Sequence, residues 1–165
     1  MRWDDVGRQI CSVARTTAIL GDRWTMLLIR EAFLGTRRFD EFRALTGASP
    51  QITATRLERL VKAGILRKAP YQERPTRYEY RLTPMGRDLH SALISLMTWG
   101  DKWLNDGRGV PNPLRHSTCG EITRPKLVCD CCDEAVGVEN LISEPSARMQ
   151  RQRHKMLAES AATEI

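Results

Sequence analysis

Along the first hundred residues apolar positions recur with a helical period, broken at intervals by glycine and capping residues. Cys11 to Leu20 reads as a short helix stopped by Gly21. Asp22 then caps a helix over Arg23 to Leu34, in which Trp24, Leu27 and Leu28 with Met26, Ile29 and Phe33 form a wide apolar face, and Gly35 follows as the C′ residue. This helix is expected to be the backbone of the core. Phe39, Phe42 and Leu45 carry the period on to Thr46-Gly47-Ala48, where it stops. Ser49 is placed as an N-cap and Pro50 as the first residue of the next helix, where its missing N–H costs nothing. That helix turns Ile52, Leu57, Leu60 and Val61 inward and sets Gln51, Thr55, Arg59 and Lys62 three or four apart on another face. Two short helices joined by a tight glycine turn predict a helix-turn-helix.

After Gly64 the period becomes two. Leu66 to Tyr71 and Thr76 to Leu82 read as strands, the second with Tyr78, Tyr80 and Leu82 on one side and Arg77, Glu79 and Arg81 on the other, and Gln72 to Pro75 forms the hairpin tip. A hairpin directly after a helix-turn-helix is a wing. Thr83 and Pro84 then open one long helix to about Leu104, with Met85, Leu89, Ala92, Leu93, Leu96, Trp99, Gly100 and Trp103 in an apolar stripe longer than so small a domain can cover. The surplus predicts a partner helix, most simply in a two-fold homodimer, which would set two recognition helices about 34–36 Å apart.

Charge sharpens the picture. The chain of 165 residues has 26 basic and 20 acidic side chains, formally +6, and residues 37–82 alone hold 11 basic against five acidic. The whole excess therefore lies on the helix-turn-helix and wing, the footprint of a polyanionic partner. Ser49, Gln51, Thr55 and Arg59 are the expected groove or phosphate contacts from the second helix, and Arg38, Arg56, Arg74 and Arg77 the expected backbone anchors. Arg59 is the expected base reader, because its fork matches guanine O6 and N7 together. A run of apolar residues long enough to cross a bilayer is not found, nor is a leader-like apolar stretch at the N-terminus, so a cytoplasmic protein is expected. The three histidines, His90, His116 and His154, fall into no nucleophile or acid–base arrangement, and no glycine loop cradles a phosphate, so no enzyme is expected.

Five cysteines in such a chain argue against a disulfide framework. Cys11 falls at or near a helix N-terminus, where the dipole favours a reactive thiolate; it is either a reactive thiol or a small buried hydrophobe. His116-x-x-Cys119 and, nine residues on, Cys129-x-x-Cys132 have the spacing of a tetrahedral structural zinc site, with Cys131 left over or replacing one of its neighbours. A Cys129–Cys132 disulfide and metal-free thiols are the alternatives. The segment has few large apolar residues, and zinc would supply the stability that a core does not.

Cys11, Gly21-Asp-Arg-Trp24, Arg38-Phe39-Asp-Glu-Phe42, Arg56-Leu57-Glu-Arg-Leu60, Gly64-Ile-Leu66, Arg74-Pro75, Tyr78-Glu-Tyr80-Arg-Leu-Thr-Pro-Met-Gly86 and Trp99-Gly100-Asp101 together resemble the HxlR-type winged helix-turn-helix regulators of bacteria and archaea. The resemblance spans Cys11 to about Trp103. It implies a homodimer on an operator, often responsive to oxidants, quinones, aldehydes or other electrophiles, with a cysteine at the position of Cys11 as sensor. The sequence departs from the family pattern at Ala48 and Thr53, where larger aliphatics are usual, which implies local repacking.

The expected fold is α+β and mostly helical: a winged helix-turn-helix with a long dimerisation helix in residues 1–107, a zinc-ribbon-like extension in 108–145, and a polar basic tail in 146–165. The expected function is transcriptional regulation by a dimer on double-stranded, palindromic DNA, with an oxidant or small-molecule effector. The alternative is a thiol- or zinc-dependent sensing module whose main partner is another protein. Rising salt separates them, because phosphate contacts weaken steeply and an apolar interface does not.

Overall fold

The computed structural model describes residues 3–163. It is α+β, with two small antiparallel sheets, and divides into two compact units: the chain up to His90 together with the segment from Ala147, and Ser91–Ser146.

The first unit begins with α1 (Trp3–Val6) and α2 (Ser12–Leu20), the latter with Cys11 as N-cap and Gly21 as C-cap. In α3 (Arg23–Phe33) the Asp22 carboxylate accepts the N–H groups of Trp24 and Thr25, both at 3.1 Å, which satisfies two of the donors a helix start leaves unpaired. Its far end closes at Leu34 and Gly35, where φ of +99° needs glycine, and the Arg37 guanidinium donates to the Ala32 and Thr36 carbonyls. In α4 (Phe39–Thr46) the Glu41 carboxylate reaches back to accept the Arg38 N–H at 3.2 Å, and Gly47 turns the chain with φ of +73°. The Ser49 hydroxyl then caps α5 (Pro50–Lys62), accepting the Ile52 N–H at 3.3 Å.

These three helices meet on one core. Leu28, Ile29 and Ala32 of α3, Phe42 of α4 and Leu57 and Leu60 of α5 are buried together with Ile65 and Leu66. Each large aliphatic so buried contributes roughly 1.5–3 kcal/mol. Thr53 and Ala48, the two departures from the family pattern, are buried too, and the Thr53 hydroxyl donates to the Ser49 carbonyl at 3.0 Å, so a polar side chain enters the core with its hydrogen bond made. Leu45, by contrast, is exposed.

The wing is β1 (Leu66–Glu73) paired antiparallel with β2 (Thr76–Leu82), in register from Leu66↔Leu82 to Glu73↔Thr76 with a bulge between Pro70 and Gln72. The strands run further than the sequence suggests and leave only Arg74-Pro75 at the tip, because the Gln72 amide donates to the Arg74 carbonyl and the Thr76 hydroxyl to that of Glu73, each at 3.0 Å. Tyr80 packs edge-on against Phe42 and, with Leu82, fixes the hairpin to the core.

One long helix from Pro84 is not what forms. The chain makes α6 (Pro84–Asp88) and then α7 (His90–Trp103), separated at Leu89. Thr83 and Gly86 hold the first turn down: the Thr83 hydroxyl caps Gly86 and donates to the Gly64 and Ile65 carbonyls, and a Cβ on Gly86 would lie 2.2 Å from the Ile65 oxygen. The Leu89 N–H turns back to Gly86 and closes the turn early. The His90 ring lies against Phe33 with centroids 5.1 Å apart and planes tilted by 51°. The C-terminal helix α8 (Ala147–Thr163) also belongs to the first unit, the Gln152 amide oxygen accepting the Ile10 N–H at 2.9 Å.

The second unit contains most of α7 and a short ladder of β3 (Leu114–Arg115) with β4 (Ile122–Thr123), followed by an isolated bridge between Val128 and Ala135. Among the described side chains none from residue 95 to residue 161 is buried.

Candidate nucleic-acid interface

Helix α5 presents Gln51, Ala54, Thr55 and Lys62 to solvent, with Ser49 exposed at its start. Gln51 and Thr55 lie one turn apart, and the exposed Thr55 hydroxyl donates to the Gln51 carbonyl at 2.8 Å. This polar face is bounded on one side by the wing, to which the Glu58–Lys68 ion pair at 2.7 Å ties it.

The two arginines expected to face DNA from this helix turn the other way. Arg56 forks onto Asp22, Nε to Oδ1 at 2.9 Å and Nη2 to Oδ2 at 3.2 Å, so one carboxylate caps α3 and anchors α5 together. The guanidinium beside it holds the Asp22 carboxyl below its ordinary 3.8. Arg59 donates to the Ala18 carbonyl, one of the last acceptors of α2 and without a partner inside that helix. Both forks thus brace the recognition helix from behind. Their place beside Leu57 and Leu60 sets both on the flank of the helix, and the acceptors that aim them, 34 and 41 residues away, leave no local signal.

Arg38, Arg74 and Arg77 are exposed. Arg38 lies over the Tyr71 ring, 4.9 Å from its centroid, and with Arg77, Tyr78 and Tyr80 it lines a cleft of about 560 Å3 between the start of α4 and the wing. The Arg38 strand-like backbone bridges Glu79, so the wing and the helix-turn-helix share one frame.

Cys11 sits half-buried at the start of α2, its side chain making no capping hydrogen bond. In the extension His116 Nδ1 lies 3.4 Å from Cys119 Sγ. The Cys129 thiol is held below its ordinary 9.0 by the backbone N–H groups of Cys131 and Cys132, which point at its sulfur. The donor atoms of Cys129, Asp130 and Cys131 lie within 4.8 Å of one another and could hold a metal ion; His116, Cys119, Cys129 and Cys132 do not converge as a set of four. The second unit also has an open pocket of about 280 Å3 lined by Met97, Val110, Leu114, Ile122, Asp101 and Arg124 among others.

The family described as HxlR-like helix-turn-helix matches residues 19–108, from the end of α2 through α7. The chain belongs to the HxlR-like family. It is 44% identical over 134 residues, 81% of this chain and 85% of the other, to Rv3095 of Mycobacterium tuberculosis, named an uncharacterized HTH-type transcriptional regulator. Among solved structures it resembles PA1607, titled a candidate transcription factor, with TM-score 0.75 and 30% identity over 85% of this chain and 98% of that one. It also resembles the redox regulator HypR in its reduced form, with TM-score 0.53 and 28% identity over 56% of this chain and 92% of that one. An HxlR-like chain of this kind is a DNA-binding transcriptional regulator and not an enzyme. Among the described residues no helix is long and apolar enough to cross a membrane.

Proposed function

We propose that this regulator binds a palindromic operator as a homodimer, with Ser49, Gln51 and Thr55 reading the groove from α5 and Arg38, Arg74 and Arg77 holding the sugar-phosphate backbone. The observation that carries the reading is a polar helix face left open beside an arginine-tipped wing while Arg56 and Arg59 are spent on Asp22 and Ala18. Those two act as positioning residues, fixing the angle of α5. The dimer contact is assigned to α7, where Leu96, Trp99 and Trp103 recur three and four apart and are each more than half exposed. Selection of bound sequences from random duplexes tests the reading: an inverted repeat with half-sites about one turn apart is expected, and recovery of no enriched motif would refute it. Light scattering of Trp99→Arg should give half the mass of the parent.

The signal is assigned to Cys11, in keeping with its half-buried place at a helix start and with the likeness to a redox regulator. A peroxide would oxidise the Cys11 thiolate to a sulfenic acid, one peroxide oxygen going to sulfur and the other leaving as hydroxide. Operator affinity of Cys11→Ser should no longer respond to peroxide. An apolar effector is the other input this chain could take, in the pocket beside Met97 and Ile122. We infer in addition that the extension takes up a divalent transition metal.

A further inference from the structure

The two donor pairs of the extension sit on hairpin tips that repeat each other thirteen residues apart. Arg115 pairs with Ile122 across the first tip and Val128 with Ala135 across the second. Inside these pairs the His116 N–H donates to the Glu121 carbonyl at 2.9 Å, and the Cys129 N–H to that of Glu134 at 2.8 Å. One step further in, Gly120 N–H donates to the His116 carbonyl at 2.8 Å, and Asp133 N–H to that of Cys129 at 3.0 Å. The residue after the last donor is left-handed in both, Gly120 with φ +76° and Asp133 with φ +60°. Asp133 is the one non-glycine at positive φ among the described residues, a conformation that costs an L-residue about 1 kcal/mol or more.

Two unlike sequences thus follow one backbone path, and that path brings the first and fourth side chains of each tip to a common side. The His116 Nδ1···Cys119 Sγ separation of 3.4 Å is close to the edge of a zinc tetrahedron, roughly 3.5 Å for bonds of about 2.0–2.1 Å to nitrogen and 2.3 Å to sulfur. Between Leu114 and Val136 no side chain is buried, so the hairpins have no apolar core to keep them in this form.

The repeat also bears on which cysteine is spare. Laid on the first tip, Cys129 falls on His116 and Cys132 on Cys119, while Cys131 falls on Thr118, whose hydroxyl is not among the side chains that hold zinc. We propose that one zinc ion is held by His116, Cys119, Cys129 and Cys132, with Cys131 a free thiol outside the coordination sphere. The proposal rests on the reading that the extension binds a metal at all, and it favours this set over the neighbouring Cys129–Asp130–Cys131 cluster, which draws on a single tip. Four exposed residues, Arg124 to Leu127, join the tips.

Elemental analysis of the full chain purified without chelator should find one zinc per chain. Cys131→Ser should keep it, while Cys119→Ser and Cys132→Ser should weaken zinc affinity, measured by competition with a chelating dye, by at least about tenfold. A chain free of metal in which all five thiols titrate would overturn both the metal reading and this assignment. Zinc lost in Cys131→Ser but kept in Cys119→Ser would overturn the assignment alone. If every variant loses metal through misfolding, the parent chain loaded with cobalt(II) still decides: thiolate-to-cobalt absorption of three-thiolate strength supports the set, and two-thiolate strength refutes it. Operator binding is measured separately and does not enter any of these outcomes.

Discussion

Leu28, Ile29, Phe42, Leu57 and Leu60 lose nearly all contact with solvent, whereas Leu127, Val128, Val138, Leu141 and Ile142 stay more than half exposed. Both stretches contain aliphatic residues. What differs is their spacing: three helices can interleave residues three and four apart, while hairpins of two paired residues offer no face wide enough to cover anything. The winged unit is therefore held by burial, and the cysteine-rich segment by backbone hydrogen bonds and whatever its side chains bind.

The comparison breaks first at the core. Phe42→Ala should cost about 3–5 kcal/mol in denaturant unfolding and drop operator binding with it, whereas Val138→Ala, at a side chain 97% exposed, should stay within about 0.5 kcal/mol. If the two substitutions cost alike, the contrast is wrong. Gly86→Ala should follow at roughly 1–3 kcal/mol, because its Cβ would meet the Ile65 carbonyl at 2.2 Å and backbone must move.

Asp22→Asn sharpens what holds the recognition helix. Asparagine still caps α3, so the substitution removes mainly the charge opposite Arg56, a pair 27% exposed on each side, and about 1 kcal/mol should be lost at neutral pH. Since the Asp22 carboxyl is held below 3.8 in the folded chain, its contribution is present above that pH and is lost as pH falls below it. Urea midpoints of parent and variant should converge as the medium is taken from pH 5 toward pH 2. The smallest effect on stability, within about 0.5 kcal/mol, is expected for Gln51→Ala and Thr55→Ala, which should nonetheless weaken operator binding by about tenfold each.

Chelation tests the other region. With a strong zinc chelator, hydrogen exchange at the amides of residues 116–136 should become fast while α3 and α5 keep their protection. Equal loss in both would mean that the two regions are not independently held.

The helix-turn-helix, the wing and their caps were legible along the chain because each is specified locally. Asp22, Ser49 and Thr83 precede their helices, glycines stand where φ turns positive, and the strand period is two. The His116 and Cys129 pairs were legible as spacing, since a tight turn dictates which side chains share a side. Local rules alone did not reveal the break at Leu89, where the Leu89 N–H closes on the Gly86 carbonyl in a turn that lies close against the Ile65 backbone. Nor could they aim Arg56 and Arg59: an arginine on a helix flank points wherever an unpaired carboxylate or carbonyl awaits it, and Asp22 and Ala18 are 34 and 41 residues away. The sequence by itself determined which elements form and that a basic face exists; only the tertiary structure decided which of its arginines are free to meet DNA, because long flexible cations are placed by partners distant in the chain.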